Sequence, residues 1–185
     1  MRRLLTPLTF LSLLAACAHD EPAPDPASIP AEGRFVLTGI PRPVVALITP
    51  EGIQGPAHNL GRYDNGTAIR GKAYGKDVSI TLGEASAEGV VGRTPFSMQV
   101  SRTPEGVTAS GLIGGHPSTF TFGKARINGA FGRCGYDVRF VGDGYAGQRS
   151  CGGTIEQVGI TLPPILNEWR DIEVATDLAL LLGTR

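Results

Sequence analysis

The chain has 185 residues, 41% of them hydrophobic and 18% charged, with 17 basic side chains against 17 acidic ones. That balance excludes the strongly basic composition of a nucleic-acid or anionic-lipid binder, so no nucleic-acid partner is expected. About 150 residues follow the amino-terminal region, enough for one domain with a substantial core and too few for two.

In chain order, Arg2 and Arg3 come first and the apolar run Leu4 to Ala16 follows. This run has the layout of a secretory signal. It is too short and too interrupted, by Thr6, Pro7, Thr9 and Ser12, to span a membrane, which takes about 20 apolar residues. It ends in Leu14-Ala15-Ala16-Cys17. These four residues resemble the lipobox of bacterial lipoproteins, in which a leucine and two small residues precede a cysteine that is acylated and exposed by cleavage. The resemblance covers residues 1–18. It implies a signal peptide over 1–16, lipidation of Cys17 and a place in the cell envelope, with the membrane itself as partner through the lipid anchor. Ala18 resembles the residue that releases Gram-negative lipoproteins to the outer membrane. Each buried methylene contributes about 0.8 kcal/mol, so three acyl chains would hold a domain on a bilayer almost permanently. Loss of Arg2 and Arg3 with the signal would leave 15 basic against 17 acidic residues.

Residues 17–33 hold the lipidated cysteine and a Pro- and Ala-rich acidic stretch with almost nothing to bury, which reads as a tether without fixed structure. In a polyproline-like form, at roughly 3.1 Å per residue, it would reach about 50 Å.

Residues 34–185 read as a single β domain. Its first part, Phe35 to Tyr63, carries Phe35-Val36-Leu37 and the run Val44 to Ile48 between Pro41, Pro43, Pro50 and Pro56. Edge strands and irregular loop are expected there. From about 67 to 153, apolar and polar residues alternate, as in Val78, Ile80, Leu82 and in Phe96, Met98, Val100. Turn signals such as Pro104-Glu105-Gly106 and Gly114-Gly115 separate these segments. Gly89-Val90-Val91-Gly92, Gly111-Leu112-Ile113-Gly114 and Gly129-Ala130-Phe131-Gly132 recur at spacings of 22 and 18 residues, one hairpin per repeat. The expected fold is therefore all-β: an antiparallel meander of hairpin repeats, about six to ten strands, closed as a barrel or folded as a sandwich.

Gly89, Gly111 and Gly129 share parity with inward-pointing residues, and Phe96, Phe120 and Tyr136 are the expected fillers of the space they leave, with a ligand slot as the alternative. Cys134 and Cys151 form an even pair in an oxidising compartment and flank one hairpin, so a disulfide is expected. Gly142 to Gly147 matches a dinucleotide-binding glycine pattern, but the residues that follow do not open a helix, and a hairpin turn is expected instead. After Pro163-Pro164 the apolar residues fit either a helix or a strand. The good helix formers favour a short C-terminal helix over about 164–182, covering a sheet face or plugging a barrel mouth, with Trp169 near its start as a core or capping residue and a carbohydrate platform as the alternative.

Catalytic chemistry finds few candidates. His19 lies in the tether, His58 in a Pro- and Gly-rich loop, and His116 at a turn apex, and no histidine pair has metal spacing. Asp77, Glu84, Glu88, Glu105, Asp137 and Asp143 are carboxylates without a visible pairing. No catalytic, metal or cofactor-binding residue is expected. The reading is a noncatalytic cell-envelope lipoprotein, a structural or protein-binding β module with an envelope protein as a candidate partner. The alternatives are a carrier of a lipid or other apolar ligand, which would need a cavity of at least about 300 Å³, and an envelope hydrolase using His116 or carboxylates. The sequence fixes no oligomeric state.

Overall fold

Segments that alternate apolar and polar residues bury one face only when they pair with neighbours, and here every such segment pairs with the next. The computed structural model describes residues 28–183. The signal peptide, Cys17 and the tether up to residue 27 lie outside the described residues. Fourteen strands follow one another: β1 (Arg34–Thr38), β2 (Val44–Thr49), β3 (Gly52–Gly55), β4 (His58–Tyr63), β5 (Ala68–Ala73), β6 (Lys76–Leu82), β7 (Ser86–Val91), β8 (Thr94–Thr103), β9 (Gly106–Ile113), β10 (His116–Phe122), β11 (Arg126–Phe131), β12 (Cys134–Val141), β13 (Gly144–Cys151) and β14 (Thr154–Thr161). Each is antiparallel to the next, and β1 closes on β14 with Val36 opposite Thr161, making a closed barrel.

The strand count exceeds the expected six to ten, and the region expected as edge strands and loop supplies β1–β4 of the wall. The prolines there do not break strands. Pro41 and Pro43 sit in the β1–β2 turn, Pro50 in the β2–β3 turn and Pro56 in the β3–β4 turn, where a fixed φ is an advantage and no ladder hydrogen bond is lost. Packing also starts ahead of Arg34. Ile29 is buried, and the Arg34 guanidinium donates to its carbonyl.

Inward residues are apolar and outward ones polar, as β6 shows: Val78, Ile80 and Leu82 are buried while Asp77, Ser79 and Thr81 are exposed. A lipid-facing barrel requires the reverse alternation. A ring of this many strands is too wide for its own side chains to fill. The filling comes from the carboxy terminus. After β14 a 3-10 turn (Pro164–Glu168) crosses one mouth, and α1 (Asp171–Leu182) then runs inside the barrel toward the other. Ile172, Ala175, Leu178 and Leu180 to Leu182 are all fully buried, and only Asp171 and Glu173 in the first turn keep partial exposure, so α1 belongs to the core. The expected helix is thus present, but it is shorter than 164–182 and passes through the interior instead of covering a face or mouth.

Polar groups along it and at its end find partners in the helix and in the wall. The Thr176 hydroxyl donates to the Ile172 carbonyl at 2.7 Å. At the C-terminal end, where carbonyls lack intrahelical donors, Tyr74 donates to Leu181 O at 2.7 Å and Tyr136 to Leu182 O at 3.2 Å.

The repeating glycines mark where neighbouring strands approach closely. Gly89 lies opposite Phe96, and Gly129 lies between Phe120 and Tyr136, so the expected fillers are the cross-strand neighbours of these two positions. Gly111 differs, lying between Met98 and Ser118. The need for glycine comes from backbone as much as from rings. At Gly129, with φ +119°, a Cβ would stand 2.3 Å from the Thr119 carbonyl oxygen.

Candidate functional site at the barrel mouth

An up-and-down barrel sends its turns alternately to two ends. The end where β1 begins and β14 finishes also receives the β8–β9, β10–β11 and β12–β13 turns. There a recess of about 860 Å³ opens between the wall, the start of α1 and the segment 162–169 that crosses the mouth. Its floor and sides are largely apolar and aromatic: Phe122, Ile127 and Tyr145 from the wall, Leu166 and Trp169 from the crossing segment, Val174 from the helix. The volume exceeds the threshold set by the carrier alternative and lies in the range of small-molecule sites.

Polar groups stand at the rim. Arg102 grips Asp171 through two bonds, Nε to Oδ2 at 2.6 Å and a terminal nitrogen to Oδ1 at 3.1 Å, and Lys124 and Asp143 complete the edge. Tyr145 donates its hydroxyl to the Gly123 carbonyl at 3.0 Å, and partial burial pushes its phenol above the ordinary value. Its ring meets Phe140 edge-on at 5.4 Å, and Phe140 and Val141 at this hairpin tip are 49% and 65% exposed.

Behind Trp169 lies an ionic cluster that ties helix to wall. The Arg62 guanidinium carbon stands 4.1 Å over the Trp169 ring, and its terminal nitrogens reach Asp177 at 2.8 Å and Glu173 at 3.7 Å. Burial raises the Asp177 carboxyl to about 6, against the pull of the neighbouring Arg62 charge. Glu173 differs. Burial pushes it up, but hydrogen bonds from the Arg170 side chain and backbone and the charges of Arg170 and Arg62 outweigh this, leaving it below the ordinary value. Glu173 also closes the helix start by accepting the Arg170 N–H at 2.9 Å. The sequence reading missed Arg62, Asp171, Glu173 and Asp177. The one available signal was three acids spaced inside an otherwise apolar helix.

Cys134 and Cys151 meet as a disulfide directly across β12 and β13, with Cα atoms 4.3 Å apart, and the Arg149 guanidinium reaches both sulfurs. Gly142 and Asp143 form the turn of that hairpin. His58 is not in a loop: it is in β4, 2% exposed, with its ring edge-on to Tyr74 at 4.6 Å. His116 opens β10 at the end opposite the recess, where its Nε2 accepts from Arg133 Nε at 2.8 Å. Of the candidate carboxylates, Asp137 pairs with Arg126 at 2.7 Å, and Asp143 reaches the recess. Among the described residues, no group of three His, Cys, Asp or Glu side chains is gathered as a metal site would require, and no helix is long and apolar enough to cross a membrane.

Fold and site together define a closed antiparallel β-barrel filled by its own C-terminal helix, with an aromatic recess at one mouth. No protein-family model, curated protein or solved structure matches this chain.

Proposed function

We propose that this chain is a noncatalytic lipoprotein of the cell envelope, anchored through Cys17, most naturally to an outer membrane, whose barrel takes an amphiphilic ligand into the recess. The observation that carries this reading is the recess itself: about 860 Å³ with an aromatic wall and a charged rim, which suits an apolar body with a polar head. The path of the chain supports it, because the segment leading from residue 17 joins β1 at this same end. An acyl tail lodged there would gain about 0.8 kcal/mol per methylene removed from water. Nothing in the recess pairs a nucleophile with a base. His116, one base open to the hydrolase alternative, lies at the other end against Arg133, and of the candidate carboxylates Asp143 alone lines the recess.

Trp169 is the single tryptophan of the chain and lines the recess, so its fluorescence reports on occupancy. Titration with a brominated long-chain fatty acid should quench it saturably. Quenching no stronger than that of free tryptophan amide would end the ligand reading. Labelling cells with radioactive palmitate tests the anchor separately: label is expected on the wild type and absent from Cys17→Ser.

The exposed Phe140 and Val141 at the same rim favour a second reading, in which this rim docks on an envelope protein.

A further inference from the structure

Balanced total charge conceals a sorting by barrel end. Turns at the recess end carry Glu51, Asp64, Glu84, Glu105 and Asp143, with Lys124 the cation among them. Turns at the far end carry Arg42, Arg93 and Arg133, and Lys76 and His116 open the strands that leave two further turns there. Among the described residues, no turn at the far end holds a carboxylate. The sorting follows from topology, because residues of successive turns alternate ends.

Between the β7–β8, β9–β10 and β11–β12 turns lies a second recess, of about 360 Å³. Lys76, Arg93, Thr94, His116 and Arg133 line it, and no carboxylate does. Arg133 and His116 already share one hydrogen bond, which holds the two side chains over the opening. The C-terminal end of α1 reaches this recess at Gly183 and accounts for part of the positive charge, since a helix end carries roughly half a negative charge. It does not account for three cations and a histidine, particularly as the Leu181 and Leu182 carbonyls already accept from Tyr74 and Tyr136.

We infer that the far recess is a binding site for a phosphate group. Arginine forks match phosphate oxygens in bidentate geometry. Several cations around one opening suit the double charge of a phosphate better than the single charge of a carboxylate. The phosphate could arrive free in solution or as the phosphomonoester headgroup of a lipid, and the chemistry of recognition is the same. The site is separate from the aromatic recess, so either can fail alone.

Isothermal titration of the full chain in neutral detergent, first with inorganic phosphate and then with dihexanoyl phosphatidic acid, tests the inference. Saturable heat is expected with at least one of them, weakened at least about tenfold in Arg93→Gln/Arg133→Gln and unchanged in Arg139→Gln, an exposed cation of the outer wall that lines neither recess. Tighter binding of the lipid assigns a headgroup, tighter binding of the inorganic ion a soluble source, and both uphold the site. The two arginines are exposed turn residues, and an unchanged melting temperature checks that their loss leaves the fold intact. No saturable heat with either probe, or equal affinity in the double variant, would overturn it.

Discussion

Arg62 of β4 and Asp177 of α1 meet at 2.8 Å with side chains only 6% and 1% exposed, an ion pair that joins the barrel wall to the helix running through it. Two charges out of water need each other. Asp177→Ala would leave the Arg62 guanidinium buried beside a hole, and a loss of about 3–5 kcal/mol is expected. Arg62→Met/Asp177→Leu, which removes both charges at similar volume, should recover most of that. Urea unfolding of the three proteins checks it, and a double variant as weak as the single one would contradict the pairing argument.

The same carboxyl sets a pH dependence. In the folded protein Asp177 titrates at about 6, against 3.8 ordinarily, mainly because burial disfavours its charge. Between about pH 4 and 6 the folded state keeps a proton that the unfolded chain has released, so stability falls as pH rises through that window, by on the order of 2–3 kcal/mol, and is level above it. Glu173 works in the opposite sense. Its lowered value adds stability that is present above its ordinary value and lost as pH falls through the folded one. Asp177→Asn should abolish the decline between pH 4 and 6 while keeping the loss at more acid pH. Parallel stability curves for the two proteins would rule this out.

The Cys134–Cys151 bond closes a hairpin with a sequence separation of 17, for which chain entropy predicts about 3 kcal/mol. Cys134→Ala/Cys151→Ala, or reduction of the wild type, should lower the melting temperature without changing the β signature in far-ultraviolet circular dichroism. A melt insensitive to reductant would show that the bond contributes nothing.

Gly129 has the left-handed φ and the close carbonyl neighbour described above, so Gly129→Ala must shift β10 away from β11. A loss of at least about 2 kcal/mol is expected in denaturant unfolding. A change within a few tenths of a kcal/mol would mean that the strands can separate at little cost.

Val107 lines the aromatic recess near its opening and is only half-buried, so Val107→Phe should narrow the site without disturbing the core. The expected result is at least a tenfold loss of brominated-fatty-acid quenching at unchanged melting temperature. Undiminished quenching would place the probe elsewhere on the protein.

Much of the architecture was open to reading one residue at a time. Alternation from Val78 to Leu82, or from Phe96 to Val100, specifies a strand with one wet and one dry face, and glycine-rich turns specify that the next strand returns beside it. The pairing of Cys134 with Cys151 follows from the same register, since residues equidistant from a hairpin turn stand opposite one another. Of the four strands before residue 64, β1 and β2 read as edge strands, while β3, β4 and the place of all four in the wall were hidden, because the prolines signal interruption locally and only pairing shows that they fall in turns.

What the chain order alone settles about this protein is its local geometry: period-two strands, the turns between them and one covalent staple, with a helix favoured over a strand after Pro164. Tertiary structure settles what is inside. Whether Leu178 to Leu182 covers a face or fills a lumen depends on barrel circumference, a property of all fourteen strands closing together that no single segment encodes. The charges follow the same rule: Glu105 and Arg93 lie a dozen residues apart in the chain, and only the alternation of turns between two mouths places one beside the aromatic recess and the other at the basic end.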